Sequence, residues 1–381
     1  MSVTVVRGGL AESRHEVHVA VVAQDGTLVA STGDPDRPTT LRSAAKAVQA
    51  QPLLDAGVPD DAGWDDAILA VCCASHAGAD IHAETVRRGF RLAGVDPELL
   101  RNCTGDLETR LRHNCSGNHL NFLALSAAKG WPLEGYRDAS HPSQQAALGA
   151  VAAATGRDPS TIPTCIDGCG VVAFELSLRE IAALYARLPQ DFARQADAMR
   201  AHPELVSGEG EFDTVVMRSV PGAVAKGGAE ALRAIALPDR GLGVAVRVED
   251  GAFRAVDPAA ADVLLQLLGE IDEPALEAIR RPPLLNASEE IVGELVSDVR
   301  LVTGQPDRHW RATKSTRIGH RVATSGEIQF SSPNFAGILR FVCASSTADS
   351  ALGGRCILRV AGDGGRGCFL PHFEQVRGRQ C

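Results

Sequence analysis

The sequence predicts an α/β or α+β fold, a sheet containing antiparallel strands with helices against it. Three observations point there. Hairpin signals stand far apart, at residues 15–32 and 241–256. The text between them is mostly helical in pattern. Hydrophobic residues make up 45% of the 381, enough for a packed core. Aromatics are only 4%, so that core is built from Val, Leu, Ala and Ile.

The elements follow in order. HEVHVAVVAQ and TLVAST flank Asp25-Gly26, a favoured two-residue turn, and read as a hairpin. Residues 42–50 are Ala-rich and helical, with Pro52 as a brake. AILAVCCAS (67–75) is a continuous apolar run and reads as a buried strand. IHAETVRRGFRLAG (81–94) is helical, as are residues 116–129, which Gly130 stops. HPSQQAALGAVAAATG (141–156) carries Pro142 near its start and Gly156 at its end. Ser177-Leu178-Arg179-Glu180 is a capping box that opens a helix. GLGVAVRVE and AFRAV flank Asp250-Gly251 as the second hairpin, and residues 257–268 give one more helix. Two hairpins so far apart suggest one antiparallel sheet built from both ends of the chain.

Residues 1–302 read as the folded body. Residues 303–381 differ: 11 Lys and Arg stand against 5 Asp and Glu, with Gly and Arg clusters and four of the ten cysteines. Their composition fits a poorly ordered extension, in which IQFSS and GILRFV are the conceivable strands.

Charge and hydropathy exclude several functions. The net charge is −9, against a nucleic-acid-binding body, which needs a basic face. No run of about 20 apolar residues could span a membrane. The first twenty residues carry charges every few positions, unlike a secretory signal. The ten cysteines are therefore read as reduced thiols in a cytoplasm rather than a disulfide framework, with Cys72 and Cys73 in the core.

The chain holds only four lysines, Lys46, Lys129, Lys226 and Lys314, while Lys and Arg together number 38. Where positive charge alone is wanted this chain uses Arg. A Lys then marks a place for an amine that can lose its proton, which Arg cannot do. Lys129, near a helix end, reads as a surface residue. Lys46 follows Ser43 in an S-x-x-K pair, and positions three apart share a helix face. A lysine held neutral by burial can take a serine proton and make a nucleophile. Alone, the pair also fits a surface lysine after a helix start. Ser75 and His76 follow the apolar run, where Ser75 can be nucleophile or substrate ligand. Lys226 precedes two glycines that allow close backbone approach. Ser116 is a candidate N-cap, and the helix it opens would favour a thiolate at Cys115. Cys115 and Cys169 could contribute to a zinc site, although their spacing is not that of a zinc finger.

RSAAKAVQAQP (42–52), CASHAG (73–78), HNCSGNH (113–119), DGCG (167–170), HPELVSGEGEFDT (202–214), AVAKGGAE (223–230) and VEDG (248–251), together with RGGLAESRHEVHVAVV (7–22), resemble in order the bacterial asparaginase family typified by the inducible rhizobial enzyme. The resemblance covers roughly residues 3–300. It implies a serine-β-lactamase/glutaminase-like fold and hydrolysis of L-asparagine to aspartate and ammonia by two Ser–Lys pairs, Ser43 with Lys46 and Ser75 with Lys226. It makes Ser43 the nucleophile and Lys46 its base. Arg42, His76 and Asp167 are implied near the substrate, and a homodimer as the assembly. It also implies zinc on two cysteines and a lysine, which fall on Cys115, Cys169 and Asn118. Asn118 departs from the HNCSGKH form of the motif. An amide oxygen is a poor zinc ligand beside an amine, so metal affinity should fall. Val172 in place of a Pro and Arg247 in place of a Lys are further departures. The alternatives are a related Ser–Lys hydrolase, such as a glutaminase or a β-lactam-type enzyme, and a catalytically weakened paralogue that binds metal or a partner. Against the lactam reading, the S-D-N and K-T-G companions are missing.

Overall fold

The computed structural model describes residues 1–269 and 274–303, and beyond them the backbone of two strands. The chain divides into two units, Met1–Pro306 and Asp307–Gln380. In the first, strands β1 (Ser2–Arg7), β2 (Leu10–Ala23), β3 (Leu28–Thr32), β4 (Pro38–Thr40), β5 (Thr164–Ile166), β6 (Val172–Ser177), β7 (Val224–Gly228), β8 (Leu232–Leu237), β9 (Leu242–Val248), β10 (Pro283–Leu285), β11 (Ile291–Ser297) and β12 (Val302–Thr303) form two sheets. The larger runs β10-β11-β1-β2-β9-β8-β7, with β3 on β2 and β12 on β3, and the smaller runs β4-β6-β5. All the pairings are antiparallel. The expected α/β sheet flanked by helices, built from both ends of the chain, is what the first unit shows.

The first hairpin is β2–β3, turning at Asp25-Gly26, where Gly26 takes φ +87. The second differs from expectation. β9 pairs with β8, and the segment after Asp250-Gly251 is the helix Phe253–Leu268. Asp250 Oδ1 accepts the Ala252 N–H over 3.0 Å, turning the chain into the helix, where Val256, Ala259, Ala260, Val263 and Leu264 are buried at helical spacing. The helices Leu178–Asp191 and Phe253–Leu268 both pack against β2, β8 and β9. Val244, Ala245 and Val246 are accordingly all buried, as befits a strand covered on both faces.

A second correction bears on the site. AILAVCCAS is not a strand: Asp66–Cys72 is a helix, capped by Asp65, whose carboxylate accepts the Ile68 N–H over 3.1 Å. Periodicity cannot separate a short buried helix from a buried strand; the Asp65 cap decides it. The helix Lys46–Gln49 does end at Ala50, two residues ahead of Pro52, which lies in the first turn of the next helix, Gln51–Asp55, where its missing N–H costs nothing.

The remaining helices stand as expected. Asp80–Leu92 is helical. Pro142–Thr155 ends at Gly156, φ +68. Ser177 and Glu180 complete the capping box of Leu178–Asp191. Ser116–Ala128 is buried at every position from Ser116 to Ser126, so it runs through the interior with helices on all sides. Its first turn sits so close to Asp66–Cys72 that a Cβ on Gly117 would overlap the Val71 carbonyl.

In the second unit, β13 (Ser325–Ser332) pairs antiparallel with β14 (Phe335–Val342), Ser325 opposite Val342 and Ser332 opposite Phe335. These strands contain the two segments singled out as conceivable strands. The rest of the expectation for residues 303–381, including Lys314, lies outside the described residues. No helix among the described residues is long and apolar enough to cross a membrane.

Candidate functional site

Five segments bring the chemistry together. The first leaves β4 at Leu41 and coils through the 3₁₀ turn Arg42–Ala45 into the short helix Lys46–Gln49. Arg42 holds φ +47, a left-handed conformation that a side chain pays for in strain and that gathers at functional sites. The second is the exit of the helix Asp66–Cys72, carrying Ser75 and His76. Cys115, just ahead of the interior helix, is the third. The β5–β6 turn supplies Asp167 and Cys169. β7 supplies Lys226 and lies so close to the first segment that a Cβ on Gly228 would press on the Leu41 carbonyl.

Both lysines singled out by scarcity are buried, Lys46 at 2% and Lys226 at 1% exposure, whereas Lys129 is exposed. The Lys46 amine donates to the Ala74 carbonyl at 2.6 Å, Ser75 Oγ at 2.8 Å and Cys115 Sγ at 3.2 Å. The serine hydrogen-bonded to Lys46 is thus Ser75, and no hydrogen bond joins Lys46 to Ser43 among the described residues. Ser43 is buried in the preceding turn, and its hydroxyl has no hydrogen-bond partner among the described residues. The Lys226 amine donates to its neighbour's carbonyl, Gly227 O, at 2.9 Å and lies 3.8 Å from Asp213 Oδ2. No hydrogen bond joins it to Ser75 among the described residues. Burial lowers the Lys226 amine to about 8, against the opposing pull of Asp213.

Arg42 Nη2 donates to Asp167 Oδ1 over 2.9 Å, the pair being partly exposed. His76 Nδ1 accepts the Gly78 N–H, and its Nε2 meets Ser116 Oγ at 2.9 Å. The ring stacks on His82, centroids 4.7 Å apart. Burial, with His82 and Lys46 adding to it, holds His76 well below the usual imidazole range. His76 is therefore a neutral ring that donates one proton and accepts another. Ser116 is the first residue of its helix and Cys115 the cap residue, one position from the expected cap.

The thiols of Cys115 and Cys169 are both buried. A hydrogen bond from Cys169 holds Cys115 well below the usual thiol value against the burial that would raise it, with Lys46 adding to the lowering. The same bond, with burial, drives Cys169 up. Cys115 is therefore the thiolate side of the pair. Cys72 and Cys73 are fully buried, as expected, and burial raises both, Cys73 to about 12.

As a zinc site the set falls short. Asn118 Nδ2 donates to Gln49 Oε1 over 3.2 Å, and its Oδ1 is buried without a partner among the described residues. No group of three His, Cys, Asp or Glu side chains suited to a metal occurs among the described residues. Two thiols and a neutral amide are an incomplete set for Zn²⁺, which takes three or four strong donors.

Sequence reasoning gave no role to Asp213, although it lies within the quoted HPELVSGEGEFDT segment. It is 2% exposed and makes contact with Lys226, Gly227 and Arg233. The Gly-Gly pair after Lys226 was the one available signal, since a Cβ on Gly227 would overlap Arg233 Nη1.

Among solved structures the chain is similar to a β-lactamase from Mycobacterium bovis, at 16% identity over 66% of this chain and 94% of that one, TM-score 0.34. It is also similar to the octameric penicillin-binding protein homologue from Pyrococcus abyssi, at 11% identity over 86% of each chain, TM-score 0.34. At these values neither likeness says anything of this chain's chemistry. No curated protein matches it. Residues 3–297 match the family model described as L-asparaginase II, and the chain accordingly belongs to the L-asparaginase II family, hydrolases that act on the amide of asparagine.

Proposed function

We propose that the chain hydrolyses the side-chain amide of L-asparagine through a serine nucleophile and a buried lysine. The contact that carries the reading is Lys46 Nζ to Ser75 Oγ at 2.8 Å, a scarce amine beside a hydroxyl and shielded from bulk water. Ser43 Oγ, one helical turn before Lys46, attacks the amide carbon. Lys46 takes the proton that Ser43 gives up. Ser75, hydrogen-bonded to Lys46, passes a proton to the departing nitrogen, so the C–N bond breaks and ammonia leaves. Water then attacks the acyl ester, the same groups carry its proton, and L-aspartate is released with Ser43 restored. Arg42, partly exposed, suits the substrate carboxylate, with Asp167 fixing its guanidinium. His76 holds Ser116 and thereby the first turn beside Cys115.

The test is ammonia release from L-asparagine by the full chain and by Ser43→Ala, Ser75→Ala and Lys46→Met, with L-glutamine and a chromogenic lactam as competing substrates. Loss of turnover in all three variants supports the reading. An aspartyl adduct on Ser43 in quenched samples identifies the nucleophile, and the same adduct on Ser75 would exchange the two serines' roles. Wild-type turnover in Lys46→Met would overturn the proposal.

A further inference from the structure

Behind Lys226 lies a closed group of charges. Asp213, in the first turn of the helix Phe212–Ser219, is 2% exposed. Its Oδ2 accepts the Gly227 N–H at 2.8 Å and lies 3.8 Å from Lys226 Nζ. Its Oδ1 accepts from Arg233 Nη1 at 3.2 Å. Arg233 in turn donates through Nε to Asp257 at 2.6 Å, and its guanidinium lies over the Phe212 ring, 4.8 Å from the centroid. Two carboxylates thus face two cations. A buried charge is tolerated only when paired and hydrogen-bonded, and in this group each of the four has an opposite neighbour. Gly227 makes the packing possible, because any side chain there would displace Arg233.

We infer that Asp213 is the positioning residue of Lys226: it ties the strand that carries the amine through the Gly227 N–H and supplies the countercharge that fixes the amine in the site. The inference rests on the proposed function and on Lys226 belonging, as the resemblance implies, to its catalytic group. The charged or titratable groups around the amine are Asp213 from the helix Phe212–Ser219, Arg233 from β8, Lys46 from the first segment, Cys115 ahead of the interior helix and Cys73 after the helix Asp66–Cys72. Asp213 is the carboxylate among them. Burial favours the neutral amine and Asp213 opposes it. With the carboxylate neutralised, burial, Lys46 and Arg233 all push the same way.

The small number of lysines makes this measurable. With ¹³Cε-labelled lysine the full chain gives four side-chain signals, and the one missing from Lys226→Met is assigned. In Asp213→Asn the Lys226 titration midpoint is expected to fall by about one pH unit, a tenfold change in the ratio of neutral to charged amine. Asp213→Glu should return it toward the native value. In the same variants one limb of the pH profile of kcat/KM should move with the midpoint, and kcat should fall more than KM rises. A Lys226 midpoint unmoved in folded Asp213→Asn overturns the inference. If that variant does not fold, Arg233→Gln provides the opposite sign: the midpoint must rise, and a fall or no change overturns the inference equally. The nuclear readout needs no substrate. A chain inactive on asparagine would sink the proposed function while the Lys226 midpoint still decided the role of Asp213.

Discussion

Lys46 Nζ donates to Ser75 Oγ over 2.8 Å, across 29 residues of sequence, although Ser43 stands only one turn away on Lys46's own segment. The amine is thus hydrogen-bonded to the distant hydroxyl, while the local one is the nucleophile proposed above. Removing the amine should therefore cost more than removing the Ser75 hydroxyl. Lys46→Met is expected to lower kcat by about 10³-fold, and Ser75→Ala by about 10²-fold, with KM little changed. Steady-state ammonia release at fixed pH, with circular dichroism to confirm folding, checks the order.

Lys226 gives a stability prediction with a definite sign. Its folded value, about 8, lies below the ordinary 10.5 because the amine is buried. Between those two values the unfolded chain binds more protons than the folded one, so this group's contribution to stability rises with pH. Below about 8 the cost of burying a charged amine is present in full. Compared with Lys226→Met, the native chain should gain on the order of 3 kcal/mol as pH rises from 7.5 to 10.5. Urea unfolding of both proteins across that range measures it; a constant difference would contradict the buried-amine account.

Asn118 bears on metal binding. Two thiols and an amide should bind zinc weakly, and Asn118→Lys should restore a third strong donor beside Cys115. Competition with a chromogenic chelator is expected to show at least a tenfold gain in zinc affinity in Asn118→Lys, abolished by Cys169→Ser. No gain would mean that position 118 does not face the thiols in a usable geometry.

Gly117 is a packing prediction. A methyl group there would overlap the Val71 carbonyl, forcing apart the helix that begins beside Cys115 and the helix that leads to Ser75. Gly117→Ala should lower stability by about 3 kcal/mol and reduce kcat as well, because the separation between Ser75 and Cys115 follows from that crossing. Thermal unfolding together with turnover tests both effects; a wild-type melting temperature would be incompatible with the close crossing.

The residues that carry chemistry, and most of the elements that hold them, follow from local patterns in the sequence. The β2–β3 turn at Asp25-Gly26, the capping box at Ser177 and the helix bounded by Pro142 and Gly156 were legible because each rests on local backbone chemistry. Scarcity marked Lys46 and Lys226, and both are buried. Tertiary structure alone decided the rest. AILAVC is helical because Asp65 caps it and neighbouring helices enclose it, and an apolar run carries no period to reveal this. The chain after Asp250-Gly251 becomes a helix because it can bury an apolar stripe against the sheet, not because its turn differs from a hairpin's. Which serine meets Lys46, and that Asp213 stands behind Lys226, depend on contacts between residues far apart in the chain. Such contacts are fixed by how whole elements pack, and no local pattern of residues records them.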